Sequence, residues 1–278
     1  MWTVKMRFWK EESLLSDEEQ ELIESFVYTL PKSGQSWGDF VLSLRPQQCL
    51  LFLSCPERDS HTAKWDSKYV TKEREKLEAS AIQSEWEILE EEAQLVIPDW
   101  KDSTSLYLFT HMFDETSPVC DGDTGRPLPL YHLPLNEIQR EQLVFWMQSY
   151  RDHDRVFLDS GTLEIPAYEE MLNADSLMSE RGRSLAKEVE AATGKPVYYY
   201  LMRYWGFIEE EDRRVCPDCG GPWRVEELPE HPRFHQFPFR CEPCRLVSSD
   251  ASSFDNDNYA RLGTWEQKQK GKQRDRNS

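Results

Sequence analysis

The stretch CPDCGGPW at residues 216–223, together with FRCEPCRLVSS at residues 239–249, decides the fold of the C-terminal part of this chain. Each stretch contains one CxxC pair, and 21 residues separate the two pairs. This spacing is close to that of zinc ribbons, whose CxxC pairs are about 15–20 residues apart. Gly220 and Gly221 permit the positive φ angles that turn both thiols of a pair toward one ion. The predicted metal ligands are Cys216, Cys219, Cys241 and Cys244.

Four thiolates complete the tetrahedral shell of Zn²⁺, with bonds of about 2.3 Å, and leave no position for water or substrate. We therefore predict a structural zinc ion rather than a catalytic one. The ion replaces the core that a segment of roughly 40 residues does not build by itself. A redox-active CxxC pair and an iron site are two other interpretations of the four thiols. His231 and His235 lie between the pairs, but the cysteines already fill the shell.

The composition predicts a cytoplasmic globular protein. Of the 278 residues, 38% are hydrophobic and 30% are charged. No apolar run approaches the ~18 residues that span a bilayer, and the N-terminal sequence MWTVKMRFWKEES meets charge too early for a secretory signal. The seven cysteines are an odd number, which is untypical of a secreted disulfide framework. We expect reduced thiols and no membrane partner.

Acidic residues dominate the body of the chain, whereas its C-terminal end is basic. The net charge is −18. Residues 1–212 carry 21 Lys and Arg against 41 Asp and Glu, and residues 213–278 carry 12 against 10. A body this acidic repels phosphate backbones and suits a basic protein partner. Nucleic acid is therefore expected to bind only through the C-terminal part. A charge that serves only solubility is the other interpretation.

Local patterns predict an α+β fold of mixed helices and short strands. Strands are expected in TVKMRFW, FVLSLRP, CLLFLSCP, SLYLFTHMF and KPVYYYLMRYWG. A first helix is expected from the capping box of Ser16 and Glu19 up to Pro31, and a second across residues 68–95. The amphipathic stretch LNEIQREQLVFWMQSYRDHDRVFL predicts a third helix. IPAYEEMLN and SERGRSLAKEVEAATG predict two more, the last ending at Gly194.

Four regions are predicted along the chain. Residues 1–97 form an N-terminal α+β region, residues 98–212 a helical and α+β middle region, residues 213–249 the zinc ribbon, and residues 250–278 a polar, basic and partly disordered tail. One aromatic cluster is expected in the core of the middle region rather than on a surface that stacks bases, because its only basic neighbour is Arg203. Its members are Tyr198, Tyr199, Tyr200, Tyr204 and Trp205.

No pattern in the sequence commits the chain to catalysis. Cys120 is the best candidate nucleophile, with His111 and His132 on either side in sequence, but a cysteine without a role is the favoured interpretation. The segment 151–164 gathers carboxylates and a histidine that suit metal-dependent hydrolysis, although polar residues are also expected where an amphipathic helix ends. These residues are Asp152, His153, Asp154, Asp159 and Glu164. We predict no catalytic residues, with a hydrolase as the weaker alternative. Cys49 and Cys55 are expected in the core.

Several stretches resemble an uncharacterised bacterial family that is described as zinc-ribbon-containing and as a candidate for nucleic-acid binding. They are TGKPVYYYLMRYWG, CPDCGGPW and FRCEPCRLVSS, and SPVCDGDTGRPLPLYHLP is similar to the middle segment of the same family. The resemblance extends from about Ser105 to Ser249. It implies that the four cysteines bind metal and that the protein associates with nucleic acid. Proteins of this general kind also occur beside secreted toxins, which implies an immunity role.

Macromolecular binding is therefore the predicted function. The first hypothesis is nucleic-acid binding through the ribbon and the tail. The residues expected to contact phosphates are Arg224, Arg233, Arg240, Arg245, Lys268, Lys270, Lys272 and Arg274. The alternative is an acidic inhibitor or toxin-immunity protein, whose body masks a basic surface of its partner.

Overall fold

The computed structural model describes residues 1–91, 96–226 and 237–254. The predictions for His231, Arg233 and His235 lie outside these residues, as do the predictions for the tail beyond residue 254, which include Lys268, Lys270, Lys272 and Arg274. The fold is α+β, as predicted. Two compact units divide the chain: the first contains residues 1–99, 114–117 and 127–145, and the second contains residues 100–113, 118–126 and those from 146 onward.

The first unit is a four-stranded antiparallel sheet with two helices. Its elements are β1 (Trp2–Trp9), α1 (Asp17–Ser33), β2 (Trp37–Ser43), β3 (Cys49–Cys55), α2 (Lys68–Ala79) and β4 (Gln83–Glu91). The strand order is β2-β3-β1-β4, so β1 and β3 are central. This βαββαβ order is that of a split βαβ unit.

Alternation along the central strands builds the core of the first unit. Every second residue of β1 is buried, including Val4 and Phe8, and Phe8 meets Phe26 of α1 edge to face. Cys49 and Cys55 are fully buried at the two ends of β3, which confirms that they are core thiols.

Two boundaries in the first unit differ from the sequence prediction. The helix predicted across residues 68–95 ends at Ala79, and β4 follows it. Ala81 takes a φ of 55°, and β4 then pairs with the whole length of β1, so tertiary pairing outweighs the helix propensity of its glutamates. Helix α1 also continues through Pro31 and ends where Gly34 adopts a φ of 79°. A proline this close to the C-terminus interrupts little of the helical hydrogen bonding.

The second unit combines four helices with a five-stranded mixed sheet. Its strands are β5 (Leu106–Leu108), β6 (Val119–Asp121), β7 (Val197–Leu201), β8 (Phe239–Cys241) and β9 (Leu246–Ser248). Its helices are α4 (Glu164–Leu172), α5 (Leu177–Thr193), α6 (Ile208–Glu211) and the part of α3 (Glu137–Asp159) from residue 146 onward. The strand order is β6-β5-β7-β9-β8, with β7 parallel to both of its neighbours.

Aromatic side chains fill the core of the second unit. Tyr198 and Tyr199 on β7 are fully buried, and Trp205 contacts Phe157 of α3 and Tyr168 of α4. Three members of the predicted aromatic cluster are therefore core, as expected, whereas Tyr200 and Tyr204 are half-buried. Gly194 ends α5 in the left-handed conformation, also as predicted. In the described ranges, no helix is long and apolar enough to cross a membrane.

Candidate metal centre

The four predicted cysteines come together at one end of the five-stranded sheet. One pair lies in the turn after α6; of the other pair, Cys241 is the last residue of β8 and Cys244 lies in the turn that joins β8 to β9. The sulfur atoms of Cys216, Cys219, Cys241 and Cys244 all lie within 4.8 Å of one another. They are therefore close enough to bind one metal ion.

Both CxxC turns use a left-handed residue directly after the second cysteine. In the first turn this residue is Gly220, with a φ of 73°, and its N–H donates to the carbonyl of Cys216 at 2.8 Å. In the second turn it is Arg245, with a φ of 53°. The glycine was recognisable from the sequence, whereas an arginine gives no local signal for this conformation. The repeated geometry turns both pairs of thiols in the same way.

The spacing of the sulfurs fits a tetrahedral ion. With bonds of about 2.3 Å to sulfur, the edge of a ZnS₄ tetrahedron is about 3.8 Å. The Sγ atoms of Cys219 and Cys241 are 3.7 Å apart. That separation is also far longer than a disulfide bond, which is about 2.05 Å.

The environments of the thiols differ. Burial raises the pKa of the Cys216 thiol to about 12, and it also raises the pKa of Cys244. A hydrogen bond from the backbone of Gly221 lowers the pKa of Cys219, which is exposed. A metal binds the thiolate forms, so binding of a cation here must displace protons.

A largely buried arginine connects the first cysteine turn to the sheet. The guanidinium of Arg214 lies 4.0 Å from the ring centre of Phe239 on β8, and it donates to the carbonyl of Ser249 at 2.7 Å. The indole N–H of Trp223 donates to the carbonyl of Arg214 at 2.9 Å. Burial lowers the pKa of Arg214 to about 10. No sequence pattern indicated this contact.

Glu211 bridges two arginines beside this contact, the buried Arg203 and the largely buried Arg214. Its carboxylate lies 3.3 Å from Arg203 and 3.3 Å from Arg214, and it also accepts the N–H of Ala251 at 3.2 Å. On α5, Arg183 pairs with Asp218 of the first cysteine turn at 2.8 Å. Charged groups therefore fix the cysteine turns to the rest of the second unit.

The described arginines that were expected to contact phosphates all have carboxylate partners. Arg224 pairs with Asp212 at 3.3 Å and with Asp250 at 3.0 Å. Arg240 pairs with Glu242 at 2.6 Å. Arg245 lies 3.2 Å from Glu190 of α5 and 3.2 Å from Glu242. These pairs neutralise the three described arginines.

Cys120 lies in the middle of β6 and is 2% exposed. It pairs with Tyr107 of β5 and belongs to a hydrophobic cluster that includes Tyr198 and Val247. His132 belongs to the first unit, where it pairs with Glu57 at 2.8 Å. The burial of Cys120 is typical of a core thiol rather than of a nucleophile that substrate reaches.

The residues of segment 152–164 lie at the end of α3 and the start of α4 and point in different directions. Asp154 is buried and accepts the N–H of Met112 at 2.7 Å, and burial raises its pKa. Asp152 is exposed, and the Nδ1 of His153 contacts the carbonyl of Ser149 at 2.7 Å. Over the described ranges, the four cysteines are the one group of three or more His, Cys, Asp or Glu side chains close enough to hold a metal.

Three family models match successive parts of the chain. Each is described as a domain of unknown function: DUF8589 over residues 1–90, DUF2310 over residues 101–202 and DUF8594 over residues 207–254. The last of these ranges contains all four cysteines.

Two proteins of Haemophilus influenzae (strain ATCC 51907 / DSM 11121 / KW20 / Rd), each described as "Uncharacterized protein", are similar to this chain. One is 34% identical over 164 residues, which cover 58% of this chain and 76% of the relative. The other is 33% identical over 164 residues, which cover 58% of this chain and 59% of the relative. The similarity to the second relative therefore leaves about two fifths of that protein unmatched.

Proposed function

Since this chain belongs to the bacterial family of the first Haemophilus influenzae relative, we propose a function for it from its own geometry. It is a non-catalytic protein that binds a basic protein partner, and its four cysteines hold a structural zinc ion. The acidic body supplies the binding surface, and an inhibitor or immunity protein is one form that such a function takes.

The donor set and its geometry support zinc. Four sulfurs around one point favour Zn²⁺ or iron, and the 3.7 Å separation matches the edge of a ZnS₄ tetrahedron. Four protein ligands leave no open position, so the ion stabilises the fold and takes no part in a reaction.

Metal analysis of the purified protein tests the zinc. We expect about one zinc per chain, and we expect chelation to lower the melting temperature until zinc is restored. Cys219→Ser should lose the zinc, whereas Cys49→Ala, which alters a core thiol of the first unit, should keep it. A purified chain that carries iron, or no metal, would exclude a structural zinc.

The proposal of a basic protein partner rests on one observation, which is that the described arginines of the predicted ribbon pair with carboxylates. Arg224, Arg240 and Arg245 would each have to leave a carboxylate in order to bind a phosphate. On the helices of the second unit, by contrast, Asp152 and Glu169 have no ion-pair partner among the described residues. Unpaired carboxylates attract a cationic surface and speed its association.

Affinity capture followed by titration tests this partner class. Proteins that the immobilised chain retains at low salt are identified, purified and titrated individually. We expect a basic partner with micromolar or tighter affinity that weakens as salt is raised. If the retained proteins are acidic, or if no purified protein binds, the proposed function is wrong.

Nucleic-acid binding is the second candidate, and the basic C-terminal sequence favours it. Residues 261–278 contain six Lys and Arg and two Asp and Glu. Titration of the zinc-loaded chain with short duplex and single-stranded nucleic acids, at several salt concentrations, decides it. A log affinity that falls steeply with log salt, and that is lost when the chain is ended after Gly263, would support this candidate. No binding at low salt would remove it.

A further inference from the structure

Helices α3, α4 and α5 enclose a groove that the sequence did not reveal. It consists of two adjoining cavities of about 430 Å³ and 370 Å³. His153 of α3 and Glu170 of α4 line both cavities, so the two form one continuous groove, which we call the α3–α5 groove. Each volume lies in the range of about 300–1,000 Å³ that is typical of ligand sites.

The floor and rims of the α3–α5 groove are apolar. Val156, Leu163 and Ala167 line one cavity, and Leu177 and Met178 line the other. Leu177 is 78% exposed and Leu163 is 54% exposed. Contact with apolar side chains of another molecule would remove these two leucines from water.

The walls of the groove are acidic. Asp152, Glu169 and Glu170 line them, and Arg181 lies in the second cavity. Asp152 and Glu169 have no ion pair among the described residues. Glu170 uses one carboxylate oxygen to accept the N–H of Met178 at 3.1 Å. Three carboxylates against one arginine select a cationic occupant.

His153 lines both cavities of the groove. Its Nδ1 contacts the carbonyl of Ser149, and because a carbonyl only accepts, this nitrogen carries the proton. In the neutral ring, Nε2 is then an acceptor. It suits an N–H donor of an occupant in the same way as the carboxylates do.

We propose that the α3–α5 groove is the site at which this protein binds a segment of its partner that combines Lys or Arg with apolar side chains. The proposal rests on the proposed function and names the surface that carries it. The apolar residues enter the two cavities between Leu163 and Leu177, while the basic residues pair with Asp152 and Glu169. Two adjoining cavities with exposed rims fit a peptide segment better than a small cation. An amphipathic helix in a groove is a common form of such binding.

Titration with two synthetic peptides of equal charge tests the groove. One repeats Arg-Leu-Leu-Lys three times, and the other repeats Arg-Ser-Ser-Lys three times. Both are labelled, and the full chain is titrated into them at physiological salt while anisotropy is measured. We expect the leucine peptide to bind at least about 10-fold more tightly than the serine peptide, since loss of a single apolar anchor already gives that ratio.

Surface variants locate the binding. Leu177→Lys, Leu163→Lys and the double variant Asp152→Asn/Glu169→Gln should each weaken binding of the leucine peptide about 10-fold. Val41→Lys, at a residue of the first unit that is 66% exposed, is the apolar control. Glu11→Gln/Glu12→Gln is the charge control, and both controls should stay within about 2-fold of the parent chain. All of these residues except Glu169 are largely exposed or lie at the rim of the groove. The melting temperature of each variant checks that it folds.

The outcomes separate this proposal from the proposed function. Equal binding of both peptides, or equal weakening by groove and control variants, would overturn the groove and leave a general attraction to the acidic body. If a purified basic partner binds the Leu177→Lys variant as tightly as the parent chain, the groove is wrong while the proposed function stands. Loss of partner binding in the groove variants alone would support both.

Discussion

Replacing Glu211 with glutamine should destabilise the second unit far more than removal of a surface charge would. Glu211 is 6% exposed, and its carboxylate contacts Arg203, which is buried, and Arg214, whose side chain is 12% exposed. Glutamine keeps an oxygen for the N–H of Ala251 but removes the negative charge between two cations. Removal of one partner from a buried ion pair costs about 3–5 kcal/mol.

The lower part of that range applies here. Arg214 keeps its hydrogen bond to the carbonyl of Ser249 and its contact with the ring of Phe239. We therefore expect Glu211→Gln to lower the free energy of unfolding by about 3 kcal/mol. For a unit of this size, that loss lowers the melting temperature by about 6–12 °C.

Thermal unfolding of the zinc-loaded protein, followed by tryptophan fluorescence, measures this change. Glu210→Gln is the matched control because Glu210 is exposed on the same helix, and it should shift the melting temperature by no more than about 2 °C. Arg203→Met should lower the free energy of unfolding less in the Glu211→Gln variant than in the parent chain. In the parent chain it removes one partner of the charged Glu211, whereas in the variant that charge is already absent. If Glu211→Gln and Glu210→Gln cost the same, the two arginines do not depend on Glu211.

Three further predictions follow from particular contacts. A Cβ atom on Gly182 of α5 would lie 2.2 Å from the ring of Tyr199. Gly182→Ala should therefore lower the free energy of unfolding by about 1–3 kcal/mol, although alanine has the better helix propensity. Ser184→Ala, at an exposed position of the same helix, is the control, and a Gly182→Ala variant more stable than the parent chain would contradict this packing. Burial, aided by Arg74, lowers the pKa of His61 to about 4. The unfolded chain therefore binds one more proton than the folded chain between pH 6.5 and 4, so the free energy of unfolding should fall by up to about 3 kcal/mol as pH drops through that window. Urea unfolding at several pH values should show that this free energy depends less on pH in His61→Phe than in the parent chain. An unchanged pH dependence would show that other groups dominate. Because Arg245 has a positive φ, the free energy of unfolding of Arg245→Gly should exceed that of Arg245→Val by about 1–2 kcal/mol. Equal free energies of unfolding would mean that the turn changes its backbone conformation to accept valine.

Local signals in the sequence were sufficient where a structure depends on neighbouring residues. The capping box of Ser16 and Glu19 forms as expected, because its hydrogen bonds join residues three apart. The four cysteines come together because each CxxC pair is itself a local turn. The alternation in β1 likewise identifies its buried face.

Local sequence patterns could not predict features that depend on contacts between residues far apart in sequence. Strand β4 forms because it pairs with β1, which lies about 80 residues earlier, and its own composition favours a helix. The parallel pairing of β7 with β9 joins the segment that contains the cysteine turns to the rest of the sheet, and no local pattern specifies it. The α3–α5 groove arises from the packing of three helices, so its residues are scattered among helical patterns that each predict only a buried stripe.

The position of β8 at the end of the order β6-β5-β7-β9-β8 has a consequence for the solubility of the protein. This strand has only three residues, one of which is Cys241, and it covers the hydrogen-bonding edge of β9. If the cysteine turns come apart, the apolar strand Leu246–Ser248 becomes an open edge that pairs readily with another chain. Oxidation of the thiols, or loss of the proposed zinc ion, would then be detected first as self-association of the protein and only later as unfolding.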